Sequence, residues 1–133
     1  GVSTALSALI NDNTYAEIIA DGIHVNDDAL RLFFRAKPKD KVILISDSLP
    51  ITYSNISETI FADSKIFYNG QSATTEDGTI AGSTKLLPEI IKILGKKNLF
   101  DKKFIENVYA YHKLSIGGEI EWDEDFNIVK IKM

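Results

Sequence analysis

The segment Lys41-Val42-Ile43-Leu44-Ile45-Ser46-Asp47 constrains the fold more than any other stretch of the sequence. A strand with one wet face alternates apolar and polar residues. This one carries four aliphatic residues in a row, three of them β-branched, which fits a strand covered on both faces, as in a parallel sheet flanked by helices. It ends in the polar pair Ser46-Asp47. Upstream, Tyr15 to Ala20 reads as a second buried strand stopped by Asp21-Gly22, with Ile23-His24-Val25 continuing its tip. Asn26 or Asp27 is a good helix N-cap, and Leu30, Leu32, Phe33 and Phe34 give a mostly apolar helix ending near Lys37-Pro38. Strand, helix, strand over 15–47 makes a βαβ unit and an α/β fold class.

The pattern changes after Asp47. Thr59 to Ala62 and Lys65 to Tyr68 read as short strands around an Asp63-Ser64 turn, and Asn69-Gly70 and Asp77-Gly78 are further turn signals. Residues 48–83 thus form a long excursion with hairpins, of a kind that is usually functional. Gly78 to Ser83 reads as a glycine-containing loop opening a helix at about 84–95, stopped by Gly95. A second helix, 101–112, is capped by Asp101 and has an apolar face of Phe104, Ile105, Val108 and Tyr109. A hairpin follows, from Glu119 to Trp122 and from Phe126 to Ile131, around Asp123-Glu124-Asp125. Phe33, Phe34, Phe61, Phe67 and Tyr68 are expected in the core.

Composition narrows the function classes. The 133 residues suffice for one domain with a real core, and 44% hydrophobic against 26% charged is a globular balance. A net charge of -4, with basic residues concentrated only at Lys96-Lys97 and Lys102-Lys103, offers no footprint for nucleic acid. With no cysteine there is neither a disulfide framework nor a thiolate metal site. No apolar run approaches the roughly 18 residues of a membrane span. The start, Gly1 to Leu6, lacks the basic region of a signal peptide. A cytoplasmic protein is expected.

Parallel α/β sheets carry their active sites at the carboxyl ends of the strands. His24 and Asp47 follow the two strands of the βαβ unit, so one rim should carry both. Asp47 should be partly desolvated by its hydrophobic strand. It then serves either as an acid–base group that takes a proton from an attacking water and returns it to a leaving amine, or as a loop cap bonded to backbone N–H groups. His24 could contact a substrate oxygen, move a proton or bind a metal, or simply be packed. For His112, late in a helix, the helix dipole is explanation enough. Asp123-Glu124-Asp125 lacks calcium-loop spacing and reads as a solvated turn.

Ile19-Ala20-Asp21-Gly22-Ile23-His24-Val25 resembles the I-A-D-G-x-H-V segment of N-acetylglucosamine-6-phosphate deacetylases. Ile43 to Asp47 is similar to the L-V-T-D strand end of that family, and Glu76 to Ser83 to its D-G-T-L-A-G-S segment. Gly1 to Leu6 is similar to the stretch just before the family's histidine strand. The resemblance covers almost the whole chain, with motifs in the right order and at the right spacing. It implies the C-terminal part of a (β/α)8 barrel over 1–112, with the hairpin excursion 48–83, and C-terminal strands of a small β-sandwich over 113–133. It implies hydrolysis of the acetamido group of N-acetylglucosamine 6-phosphate. Asp47 is then the general base and acid, His24 the substrate-contacting histidine, and Ile80 and Ala81 the lining of the sugar pocket.

The resemblance also implies a divalent metal ion, zinc, in the complete enzyme, bound by a glutamate and two histidines that precede this region. None is expected to bind to this chain alone. Ser46 and Ser48 replace the more usual Thr and Ala beside the carboxylate, Tyr111-His112-Lys113 stands where the family has an Asn-Pro-Ala-like segment, and the connection between Gly117 and Trp122 is shortened. Strands from part of a barrel lack the neighbours that close it, and an open edge must be covered. The expected partners are therefore the missing N-terminal portion, a second copy in a dimer, and an amino-sugar phosphate. The competing reading is a non-catalytic remnant that binds sugar phosphate or dimerises.

Overall fold

The structure, a computed structural model, describes residues 3–115 and 117–133; Gly1-Val2, the start of one matched stretch, and Ile116, within the 113–133 segment, lie outside the described residues. The chain begins with helix α1 (Thr4–Ile10), whose first turn is capped by the Ser3 hydroxyl accepting from the Leu6 N–H at 3.2 Å. Strand β1 (Ala16–Ile19), helix α2 (Asp27–Ala36) and strand β2 (Val42–Ile45) follow. β1 and β2 pair in parallel, with Ala16 opposite Val42 and Ile19 opposite Ile45. The βαβ unit is present, with shorter strands than expected. Asn26 caps α2, its side chain accepting from the Ala29 N–H at 2.9 Å, and Asp27 and Asp28 in the first turn complement the helix dipole.

β2 is covered on both faces, Val42, Ile43 and Leu44 all being buried. β1 is not: Ala16 and Ile18 are buried, but Glu17 between them is exposed. The main core gathers Ile18, Ala20, Leu30, Val42, Leu44, Ile90, Ile91, Leu94 and Phe104. Burying each such large side chain is worth roughly 1.5–3 kcal/mol before entropy is counted. Phe33 and Phe34 pack at its border, whereas Leu32 on the same helix faces solvent. Helix α4 (Lys103–His112) leans on this core through Phe104, whose ring stacks on Phe34 at 5.0 Å. Its N-cap is Lys102 rather than the expected Asp101, which sits one residue earlier and accepts from the Lys103 N–H at 3.1 Å. The buried α4 residue beside Phe104 is polar: Asn107 donates to the carbonyls of Lys39 and Val42 at 2.8 and 2.6 Å, tying α4 to the start of β2. Tyr109, expected on the apolar face, is exposed.

The excursion folds into its own four-stranded sheet, β3 (Glu58–Phe61), β4 (Ser64–Tyr68), β5 (Ala73–Thr74) and β6 (Ile80–Gly82), all antiparallel. The first hairpin turns at Ala62-Asp63, one residue earlier than expected. Both residues have positive φ, 48° and 61°, as a two-residue hairpin turn whose twist matches the strands requires. Leu49, Ile51, Ile66 and Ala73 form a second, small core beneath this sheet. Phe61 and Phe67 remain exposed rather than joining the core, Phe67 lying on the face of β4 opposite the buried Ile66.

The segment 78–83 does not open a helix. Ile80–Gly82 is the last strand of the excursion sheet, and helix α3 (Leu87–Lys96) starts later. There the Glu89 carboxylate accepts from the Leu86 N–H at 3.1 Å, and Pro88 sits in the first turn, where no N–H is needed. Gly95 is not the stop of α3 but a buried residue within it. A Cβ there would lie 2.3 Å from the Phe126 ring, so glycine is what lets the ring lie on the helix. Asn98, with φ 54°, takes the left-handed position after the helix instead. The chain ends in an antiparallel hairpin, β7 (Glu119–Trp122) and β8 (Ile128–Lys132). Its outer residues are exposed, while Trp122 and Phe126 anchor it to the main core.

Candidate functional site

Beyond Ile19 the chain leaves β1 and bends around Asp21 rather than continuing as strand to residue 25. The Asp21 side chain is fully buried. Its Oδ1 accepts from the backbone N–H groups of Ile23 and His24 at 2.9 and 3.0 Å. Its Oδ2 lies 2.9 Å from the His24 Nδ1. Burial pushes the carboxyl pKa up, but the backbone N–H groups of His24 and Ile23, the His24 ring and the Ser83 hydroxyl outweigh it, and the value falls below the ordinary one. The His24 side chain is itself 20% exposed. With Nδ1 turned to Asp21, Nε2 has no hydrogen-bond partner among the described residues.

Asp47 ends β2 with a left-handed backbone, φ 48°, which an aspartate tolerates better than most residues. Its side chain is exposed, so the expected partial desolvation is not found within this chain: the hydrophobic strand stops at Ile45, and the left-handed turn carries Asp47 clear of it. Nor does it act as the expected alternative, a loop cap, because its carboxylate accepts no backbone N–H among the described residues. Its backbone is held instead. The Asp47 carbonyl accepts from the Ser83 N–H at 3.0 Å, and the Leu49 N–H donates to the Ser83 carbonyl at 3.0 Å, so Ser48 and Ser83 bridge in parallel. A Cβ on Gly82 would meet the Leu49 side chain at 2.8 Å and the Asp47 carbonyl at 3.2 Å, so this approach needs a glycine.

Ser83 is therefore the junction. Its backbone fixes Asp47, and its hydroxyl accepts from the Lys85 N–H at 3.1 Å. His24 and Asp47 share the carboxyl end of the β1–β2 pair, and β6, carrying exposed Ile80 and half-buried Ala81, runs into the same point. His112 is elsewhere, exposed in the last turn of α4 against Tyr111. Sequence reasoning missed Asp21 and Ser83 as site members. The available signal was an aspartate at a strand's carboxyl end, three residues before a histidine. Among the described residues there is no group of three or more His, Cys, Asp or Glu side chains able to hold a metal ion, so these residues do not by themselves fit a metal centre.

No protein-family model matches the chain. It is 39% identical over 77 residues to an N-acetylglucosamine-6-phosphate deacetylase of Bacillus subtilis (strain 168), a match spanning 58% of this chain and 19% of that protein. It is 32% identical, over 58% of this chain, to an N-acetylgalactosamine-6-phosphate deacetylase of Shewanella sp. (strain ANA-3), covering 20% of it. In structure, 97% of the chain superposes on 39% of the N-acetylglucosamine-6-phosphate deacetylase of Thermotoga maritima, with a TM-score of 0.85 at 21% identity. Both of these curated relatives are amino-sugar 6-phosphate deacetylases. The chain spans about a fifth of the length of the curated deacetylases it matches. The fold of that solved chain extends over nearly all of this one.

Proposed function

We propose that this chain is the C-terminal part of a metal-dependent deacetylase that hydrolyses N-acetylglucosamine 6-phosphate to glucosamine 6-phosphate and acetate. In this reading β1 and β2 are two strands of a (β/α)8 barrel closed by residues outside the chain, 113–133 belongs to a small β-sandwich, and the zinc ligands lie outside the chain. The observation that carries it is the convergence of His24, Asp47 and β6 at the carboxyl end of a parallel strand pair, with the Ser83 backbone tying β6 to Asp47. Names and fold of the relatives agree with it.

The described residues do not assemble a metal site; the chain contributes proton transfer, substrate contact and pocket lining. The Asp47 carboxylate, exposed at the rim, takes a proton from the attacking water and returns it to the nitrogen of the leaving amine. His24 hydrogen-bonds the substrate through Nε2. Ile80 and Ala81 line the sugar. The test is acetate release from N-acetylglucosamine 6-phosphate by the full polypeptide that carries this chain. Turnover that falls at least about 100-fold in Asp47→Asn supports the reading. Binding of the sugar phosphate without turnover would leave a non-catalytic module instead.

A further inference from the structure

The geometry points to Asp21 as the positioning residue that fixes the tautomer of His24, holding the Nδ1 hydrogen toward itself and committing Nε2 to the ligand. The inference rests on the proposed role of His24 at the substrate.

Asp21 is 1% exposed, and its two oxygens divide their work. Oδ1 takes the N–H groups of Ile23 and His24, which fixes the backbone of the 21–24 turn. Oδ2 takes the ring. An ionised carboxylate only accepts hydrogen bonds, so a partner at 2.9 Å must bring the hydrogen, and in a neutral imidazole that places it on Nδ1 and leaves a lone pair on Nε2. A carboxylate behind a functional histidine is a general device for choosing the ring nitrogen that works. Asp21 thus sets the working nitrogen of His24 without reaching the substrate itself.

The experiment is 15N NMR of the histidine rings in the full polypeptide, with His24 assigned by loss of its signals in His24→Gln. At a pH where the ring is neutral, the expected pattern is a protonated Nδ1 and an unprotonated Nε2. In Asp21→Asn the amide can still accept the two backbone N–H groups through Oδ1, but it presents an N–H to the ring, so the hydrogen should move to Nε2. Asp21→Glu should keep the wild-type tautomer. With acetate release measured in parallel, Asp21→Asn should lose about 10–100-fold in kcat/KM, and Asp21→Glu should recover part of it. A wild-type His24 that carries its hydrogen on Nε2 would overturn the inference even if no variant folds, as would an Asp21→Asn variant with an unchanged tautomer. Absent acetate release from the wild-type polypeptide as well as from every variant, with the tautomer pattern as expected, would instead overturn the deacetylase reading and leave the Asp21–His24 pairing standing.

Discussion

Asp47 and His24 should fail differently when replaced by asparagine. The Asp47 carboxylate is exposed and unbonded among the described residues, and asparagine also tolerates a left-handed backbone. Asp47→Asn should therefore melt close to the wild type while kcat falls by about two orders of magnitude or more, because proton transfer acts in the transition state. His24→Asn should put more of its loss into KM, since a binding group acts on the ground state as well. Steady-state kinetics in the full polypeptide, with thermal melts to correct for folded fraction, separates the two. Near wild-type kcat in folded Asp47→Asn would sink the catalytic role. Lys37 makes the opposite kind of contribution. It is buried, and its ammonium donates to the carbonyls of Ala8 and Asn11 at 2.7 and 2.6 Å and reaches the Thr14 hydroxyl at 3.3 Å, pinning the end of α1 beside the entry to β1. Lys37→Met keeps the stem and removes the donors, so urea unfolding should show a loss of roughly 1.5–3 kcal/mol.

At the scale of elements, the contact between α3 and the terminal hairpin is the most sharply defined. Gly95 costs α3 about 1 kcal/mol relative to alanine in propensity, yet the Phe126 ring occupies the place of the missing methyl. Phe126 itself is turned in by a left-handed backbone, φ 60°, after a turn in which the Asp123 carboxylate accepts from the N–H groups of Asp125 and Asn127. Gly95→Ala should destabilise by roughly 1–3 kcal/mol through overpacking, despite its better propensity. Phe126→Leu in the same molecule should recover part of that loss in a double-mutant cycle of urea midpoints. Additive effects would mean that the ring and the helix are not in contact.

For the whole molecule, the carboxylates predict the direction of acid sensitivity. Asp21 is held below the ordinary carboxylate value because the His24, Ile23 and Ser83 hydrogen bonds outweigh its burial; Asp77 by the Thr75 hydroxyl, Asp101 by Lys39, and Asp123 by the Asn127 side chain and N–H. Groups with folded values below their unfolded ones stabilise the fold fully above the unfolded value of about 3.9 and lose that contribution as pH falls through the folded value. Urea midpoints should therefore fall as the pH is lowered from about 5 toward 2. Asp21→Asn should flatten that slope more than substitution of the exposed Asp77. The purified 133-residue chain by itself should release no acetate above background, since its described residues form no three-ligand metal group. Zinc-dependent turnover by the chain alone would overturn the assignment of the metal ligands to residues outside it.

Much of this was legible in the sequence because it is local or periodic. The aliphatic run ending at Asp47, the Asn26 cap and the turn residues 69–70 and 77–78 each state their structure within a few residues. A βαβ unit then necessarily puts His24 and Asp47 at one end of a parallel pair. Contacts between distant segments were not legible. Gly78 to Ser83 carries glycine signals that suit a loop, and only pairing with β5 makes Ile80–Gly82 a strand. Gly95 looks like a helix stop until Phe126 arrives from about thirty residues away to need its space. Asn107 breaks the apolar periodicity of α4, because its partners are carbonyls at the start of β2. Asp47 and Ser83, far apart in sequence, meet through their backbones. Sequence by itself determined the βαβ unit, the first and last hairpins and the two later helices, and with them which strand ends carry His24 and Asp47. Tertiary structure decided which polar groups meet there, because burial and pairing depend on neighbours that no local window contains.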